Sequence, residues 1–217
     1  MYVSGRYFWG KNNLKDTRSK NHVFSLESIH VFLNDYGNHM SEALKAIDKK
    51  GLEDAIHYLT RAKALEAKIF VAGNGGSSSI AEHLECDFQK GCYLNGNAFL
   101  TRSLCSNTAV LTAIANDIGY DKVFSYQLEM AAVNPLDLLI LISSSGNSPN
   151  IVEAAKFAKE TNMVLIGLTG FDGGRLKEMA DISIHIPFNN YGLVEDCHQA
   201  IMHILAQYIY LKEKEVS

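Results

Sequence analysis

VAGNGGSSS, residues 71–79, sits directly behind the apolar run Ile69-Phe70-Val71-Ala72. A short β-branched and aromatic run that breaks into Gly73, Gly75 and Gly76 and reopens as Ser77-Ser78-Ser79-Ile80-Ala81-Glu82 predicts strand, tight turn, helix. Glycines let the backbone bend sharply and approach a ligand closely. The helix start beyond them offers unpaired N–H groups and a positive dipole end to an anion. The pattern is not the dinucleotide fingerprint, because the third glycine of GxGxxG is missing. Nor is it a Walker loop, which carries GK[ST] after four intervening residues. A phosphate or sugar site and a plain βα turn both fit these residues.

On both sides of this turn, strand-like runs alternate with helical stretches. The predicted strands are Ile69–Ala72, Ala98–Leu104, Leu138–Ser143, Val164–Leu168 and Ile182–Ile186. Helices are expected near 78–90, 108–115, 121–132, 149–160 and 174–179, with a long closing helix over 193–213. Leu138-Leu139-Ile140-Leu141-Ile142 is apolar on both faces, as a parallel strand covered by helices on each side must be. Upstream, Leu26, Ile29, Phe32 or Leu33, Tyr36, Met40, Leu44 and Ile47 recur at helical steps, with Ser25 placed to cap them. A second helix follows Gly51 through Leu52, Ala55, Ile56, Leu59, Ala62 and Leu65. The fold class is therefore α/β, a doubly wound, five-stranded parallel sheet flanked by helices and preceded by a helical pair. Residues 1–24 show no periodicity and form an N-terminal arm, so that residues 25–217 make a single domain. Apolar faces on the helical pair want a partner and suggest oligomer formation.

Composition narrows the function classes. The 217-residue chain is 47% apolar with a formal net charge of -4, which gives no electrostatic footprint for nucleic acid. No run of about 18 apolar residues exists to span a bilayer. Cys86, Cys92, Cys105 and Cys197 are scattered without CxxC pairing, and the N-terminus shows no charged-then-apolar signal pattern. A cytoplasmic protein with reduced thiols is expected.

Ligands of doubly wound sheets sit at the carboxyl ends of the strands. The third strand ends in Ser143-Ser144-Ser145-Gly146-Asn147-Ser148-Pro149, with Ser148 at a helix N-cap and Pro149 at the first helical position. Hydroxyls beside the free N–H groups of a helix start make a neutral cradle for a phosphate. The fourth strand ends in Thr169-Gly170-Phe171-Asp172-Gly173-Gly174, where the glycines serve geometry. His83 and Asp87, four residues apart, share one helical face. Glu195 and His203 lie eight apart on the closing helix, roughly 80° around its axis, with His198 a competitor. Such a set either binds a divalent metal or divides general acid and base work.

Five motifs, GNGGS at 73–77, TAIAND at 112–117, SSGNS at 144–148, LTGFDGG at 168–174 and HxxxxHIL at 198–205, resemble the phosphoheptose isomerase branch of the sugar isomerase (SIS) domain superfamily. The resemblance runs from about residue 26 to 213 and implies an SIS-type, flavodoxin-like sheet. It further implies an aldose–ketose isomerase that interconverts sedoheptulose 7-phosphate and D-glycero-D-manno-heptose 7-phosphate for surface polysaccharide. By the same resemblance, Asn74, Gly75, Gly76, Asn116 and Asp117 contact the sugar chain, Ser143, Ser144, Ser145 and Ser148 hold the phosphate, and Glu195 also faces substrate. Asp87 and His203 transfer protons. His83, Asp87, Glu195 and His203 hold zinc, one ion per subunit, in a homotetramer whose sites lie between subunits.

The chain departs from the family at several positions. Asp87 stands where the family usually has glutamate, which withdraws the carboxylate by about 1.5 Å. Glu195 replaces a common glutamine ligand and adds a negative charge. Leu193 occupies the place of a frequent arginine, and an arginine common near the end of the 78–90 helix is absent, with Lys90 nearby. Alternatives to the heptose reaction are isomerisation of another sugar phosphate and a non-catalytic SIS-domain binding protein of the type that associates with a replication initiator. A sugar-sensing transcription regulator would need a DNA-binding module, and residues 1–65 carry no basic recognition helix.

Overall fold

The computed structural model describes residues 24–216. The arm expected over residues 1–24 lies, apart from Phe24, outside the described residues. Five strands, β1 (Lys68–Gly73), β2 (Leu100–Ser103), β3 (Leu138–Ser143), β4 (Val164–Thr169) and β5 (Ile182–His185), form one sheet in the order β2-β1-β3-β4-β5. All four pairings are parallel, with Gly73 beside Ile142 and Ser143 beside Thr169. β3, central in the sheet, is buried at every residue, which its uninterrupted apolar run demands.

Eight α-helices accompany the described strands: α1 (Ile29–Lys45), α2 (Lys49–Ala64), α3 (Gly76–Cys86), α4 (Thr108–Asp117), α5 (Ser125–Met130), α6 (Pro149–Glu160), α7 (Gly174–Met179) and α8 (Tyr191–Val216). The step from β1 to β2 and the step from β2 to β3 run in opposite directions across the sheet. Right-handed crossovers then place α3 on one face and α5 with α6 on the other. α1, α2 and α3 all pack on α8, while α6 packs with α5 and α7. No described helix is long and apolar enough to cross a membrane. All four cysteines are free thiols.

Several boundaries differ from the sequence reading for identifiable reasons. Ser28, not Ser25, caps α1 by accepting the Val31 N–H at 3.3 Å, and the Ser25 N–H instead donates to Asp35 at 2.8 Å. The core face of α1 carries Phe32, Tyr36 and Met40, whereas Leu26, Ile29 and Leu33 are 67%, 74% and 66% exposed. The predicted helix over 121–132 breaks into a 3₁₀ turn at Tyr120–Lys122 followed by α5. The helix predicted near 78–90 is α-helical only to Cys86 and continues as a π turn over Asp87–Gly91, closed by the Cys92 N–H on the Asp87 carbonyl at 2.8 Å. The strand expected over 98–104 is paired only at Leu100–Ser103.

Gly51 does not precede the second helix but lies inside it and is buried. The cause is packing. A Cβ there would stand 2.6 Å from the Ser183 carbonyl oxygen on β5, so only glycine lets α2 approach the sheet edge. Helix propensity alone favours Gly51→Ala by up to about 1 kcal/mol, but relieving the clash costs more. We expect the substitution to lower the urea unfolding free energy by about 1–3 kcal/mol, a sign opposite to that of an exposed helical glycine.

Candidate active site

At the centre of the sheet, the turns leaving β1 and β3 face each other across the point where the connections diverge. The β1 turn needs its glycines. A Cβ on Gly73 would lie 2.5 Å from the Ser77 carbonyl oxygen, and Gly75 adopts φ +56°. Asn74, between them, exchanges paired amide hydrogen bonds with Asn150 at 2.8 Å each way and accepts a third from the Tyr120 hydroxyl at 3.0 Å.

The serine turn after β3 is braced from behind. Gly146, at φ +64°, leaves no room for a Cβ beside the Gly173 carbonyl, and the Leu176 N–H donates to the Gly146 carbonyl at 2.9 Å. Asn147 accepts the Arg175 N–H at 3.1 Å. The glycines after β4 thus serve geometry. Inside the turn, Ser143 Oγ accepts the Gly146 N–H at 3.2 Å and Ser145 Oγ accepts the Asn147 N–H at 3.4 Å. Ser144 Oγ is buried with no protein partner. Ser148 stands at the N-cap of α6 with Pro149 next to it, yet its hydroxyl makes no cap bond. Two hydroxyls are therefore uncommitted beside a helix start, the environment a phosphate oxygen requires.

The ionisable residues line up along a second seam, between α3 and α8. The two helices run in the same sense. Glu195 packs over Gly76, where a Cβ would meet its Oε2 at 2.3 Å. Four residues on, Gln199 Nε2 lies 3.1 Å from His83 Nδ1. After four more, His203 Nε2 lies 3.7 Å from Asp87 Oδ2, while His83 Nε2 is 3.7 Å from Asp87 Oδ1. The imidazoles meet edge to face, 5.0 Å between centroids. Ligand atoms of His83, Asp87 and His203 all fall within 4.8 Å of one another, close enough to hold one metal ion. Two imidazole nitrogens and a carboxylate are a competent donor set with a further position left open.

Of the four predicted ligands, the fold gathers these three. Glu195 stands apart, at the other end of the seam. Its carboxyl pKa is pushed up, first by burial and then by the neighbouring charge of Asp196. Asn116 and Asp117 end α4, exposed and hydrogen-bonded to each other at 2.7 Å. His198, the competitor, is fully buried with Nε2 3.2 Å from the Thr169 carbonyl oxygen and takes no part in the trio. Three site residues escaped the sequence reading: Tyr120, Asn150 and Gln199. Gln199 had a signal, since it lies midway between Glu195 and His203 at four-residue steps. Asn150 and Tyr120 had none, because their roles come from a contact with Asn74.

Comparison with known proteins agrees with this fold. Residues 33–170 match the SIS domain profile. The chain is 37% identical to the phosphoheptose isomerase of Helicobacter pylori strain P12 over 158 residues, 73% of this chain and 82% of the relative. It is 39% identical to that of Trichlorobacter lovleyi, covering 65% of this chain and 72% of the relative. Among solved structures, the phosphoheptose isomerase of Neisseria gonorrhoeae superposes with a TM-score of 0.74 at 32% identity, covering 82% of this chain and 94% of the other. That of Francisella tularensis gives 0.77 at 27%, covering 83% and 95%.

His198 makes the site's stability sensitive to acid. Burial, with a smaller contribution from His185, holds its pKa down at about 4, while the Thr169 carbonyl acts in the opposite direction. A depressed folded-state pKa means that the neutral ring stabilises the fold fully above the unfolded value of about 6.5. That stability is lost as pH falls through 4, by about 3 kcal/mol in all. Urea unfolding at pH 7, 5.5 and 4 should show the decline, and His198→Asn should flatten it.

Proposed function

This chain belongs to the SIS-domain family, within its phosphoheptose isomerases, and we propose that it interconverts sedoheptulose 7-phosphate and D-glycero-D-manno-heptose 7-phosphate through an enediol. The observation that carries this reading is the His83–Asp87–His203 trio on the seam between α3 and α8, in a chain that also builds a braced serine turn at the switch point. Phosphate belongs in the serine turn, where hydroxyls and a helix start are free. It does not belong at the glycine turn, where the Glu195 carboxylate already packs on Gly76.

In this mechanism the Asp87 carboxylate removes the proton from the carbon beside the carbonyl and returns it to the neighbouring carbon. His203 carries the hydroxyl proton between the adjacent oxygens. One methylene shorter than glutamate, Asp87 still spans both imidazoles at 3.7 Å, which supports a working site. His83, held by Gln199, has its Nε2 directed at the same carboxylate. Zinc is the ion we assign to the trio; when bound it would supply Lewis acidity toward the carbonyl oxygen, and its coordination competes with the proton transfer assigned to Asp87 and His203. Glu195, above Gly76, is assigned to the sugar hydroxyls beside Asn74, Gly75 and Gly76, and Asn116 and Asp117 to the far end of the chain.

We also assign a homo-oligomer, a tetramer by the family resemblance, with sites between subunits. Ile29 and Leu33 on the outer face of α1, with Leu26 just ahead of it, leave an exposed apolar stripe. Ile204, Tyr208 and Leu211 continue along α8 from the exposed edge of His203. Sedimentation of Tyr208→Glu should show a smaller assembly than wild type; an unchanged mass would remove this face from the interface.

The decisive assay couples turnover of sedoheptulose 7-phosphate to product detection, in native protein, after chelation, and after zinc is restored. We expect turnover to disappear on chelation and return with zinc. His203→Gln should lose at least about 100-fold in kcat with an unchanged Tm. Full activity in that variant would overturn the assignment, and turnover confined to a different sugar phosphate would replace the substrate.

A further inference from the structure

Asn74 is committed on almost all its polar valences before any ligand arrives. Its Oδ1 accepts from both Tyr120 Oη and Asn150 Nδ2, and its Nδ2 donates one hydrogen to Asn150 Oδ1. An amide has two acceptor lone pairs and two donor hydrogens. One Nδ2 hydrogen is left over, and nothing else on the side chain can bind a ligand.

The partners that impose this state are tied to each other. Tyr120 opens the 3₁₀ turn that ends at Lys122, whose Nζ donates to Glu153 Oε2 at 2.5 Å. Glu153 lies one helical turn after Asn150 on α6, the helix that the serine turn begins. The links Asn74–Tyr120, Lys122–Glu153 and Asn150–Asn74 thus close a ring. It joins the glycine turn, the segment following Asn116 and Asp117, and the phosphate-handling turn. Asn150 is 1% exposed and Tyr120 is 61% exposed, so the ring has one buried corner and one open to solvent.

We infer that Tyr120 and Asn150 are positioning residues that hold Asn74 as an obligate hydrogen-bond donor, its one free N–H directed at a substrate oxygen at a set distance from the phosphate cradle. Such a donor suits an oxygen that gains negative charge as the enediol forms, and cannot serve a sugar hydroxyl seeking an acceptor. This inference rests on the isomerase reading for its substrate, but the ring itself is a property of the free protein.

The test uses the exposed corner, Tyr120, and the half-exposed Lys122, whose loss should spare the fold. Tyr120→Phe removes the hydroxyl and Lys122→Met removes the link to α6. Tyr120→Phe should lower kcat/KM for sedoheptulose 7-phosphate roughly three- to tenfold, the value of one hydrogen bond, with the loss in kcat. Stabilisation of the same variant by inorganic phosphate in a thermal shift should match wild type. In the free protein, both variants should speed amide hydrogen exchange in residues 74–79 and 112–119 and leave β5 unchanged. Unaltered exchange in both variants, or a parallel loss of phosphate stabilisation, would overturn the inference. Absence of wild-type turnover on this substrate would count against the proposed reaction, and the exchange result would then decide the ring alone.

Discussion

A parallel sheet whose two central strands send their connections in opposite directions leaves a gap that no helix can fill, and the site depends on that gap. β1 and β3 are hydrogen-bonded neighbours, yet α3 leaves one to a face of the sheet opposite that taken by α6. Two helix starts therefore meet at one edge with their N–H groups turned the same way. The turn after β4, packed behind Gly146 and Asn147, keeps the serine turn from closing the gap. Asn74 and Asn150 bridge it with a reciprocal pair of amide hydrogen bonds.

The chemistry of the second seam follows from the rotation of α8 about its own axis. His198 anchors that rotation. Its buried Nε2 meets the Thr169 carbonyl at the end of β4, and Thr169 Oγ1 in turn meets His185 Nδ1 at 3.0 Å on β5. From the other flank, Tyr36 on α1 donates to Asp196 at 2.6 Å. With these residues fixed, Glu195, Gln199 and His203 present one face to α3 at four-residue steps. Burial and the nearby Asp196 raise the Tyr36 hydroxyl pKa, so the phenol stays protonated and the bond persists over the working pH range. A shift of α8 by one residue would turn the face by about 100° and scatter the trio.

Asp87 illustrates how local irregularity serves this arrangement. It opens the π turn that ends α3, at the point where the chain leaves α-helical spacing. Its two oxygens face one imidazole each, so a side chain one methylene shorter than glutamate still bridges both. Lys63, buried between α2 and the end of that turn, holds the Cys92 carbonyl at 2.9 Å and the Glu213 carboxylate at 2.5 Å. That contact joins α2, the π turn and α8 behind the trio.

Periodicity and turn chemistry act over a few residues, and what they govern was legible in the sequence: five strands, the helices between them, the parallel class, the glycine turn, and the serine turn with Pro149 at the head of its helix. His83 with Asp87, and Glu195 with His203, were legible as pairs because each pair shares one helix. Their separation was not. Whether α3 faces α8 in a register that joins His203 to Asp87 but leaves Glu195 on Gly76 depends on two helices distant in sequence. The interior position of Gly51 was hidden for the same reason, since its cause is the Ser183 carbonyl on another element. Tyr120 and Asn150 carried no signal at all, because a tyrosine after a helix and an asparagine after a proline are ordinary until Asn74 lies between them. Backbone propensity determined which elements form, and only their tertiary packing decided which side chains meet, because that distance is set by residues far apart in the chain.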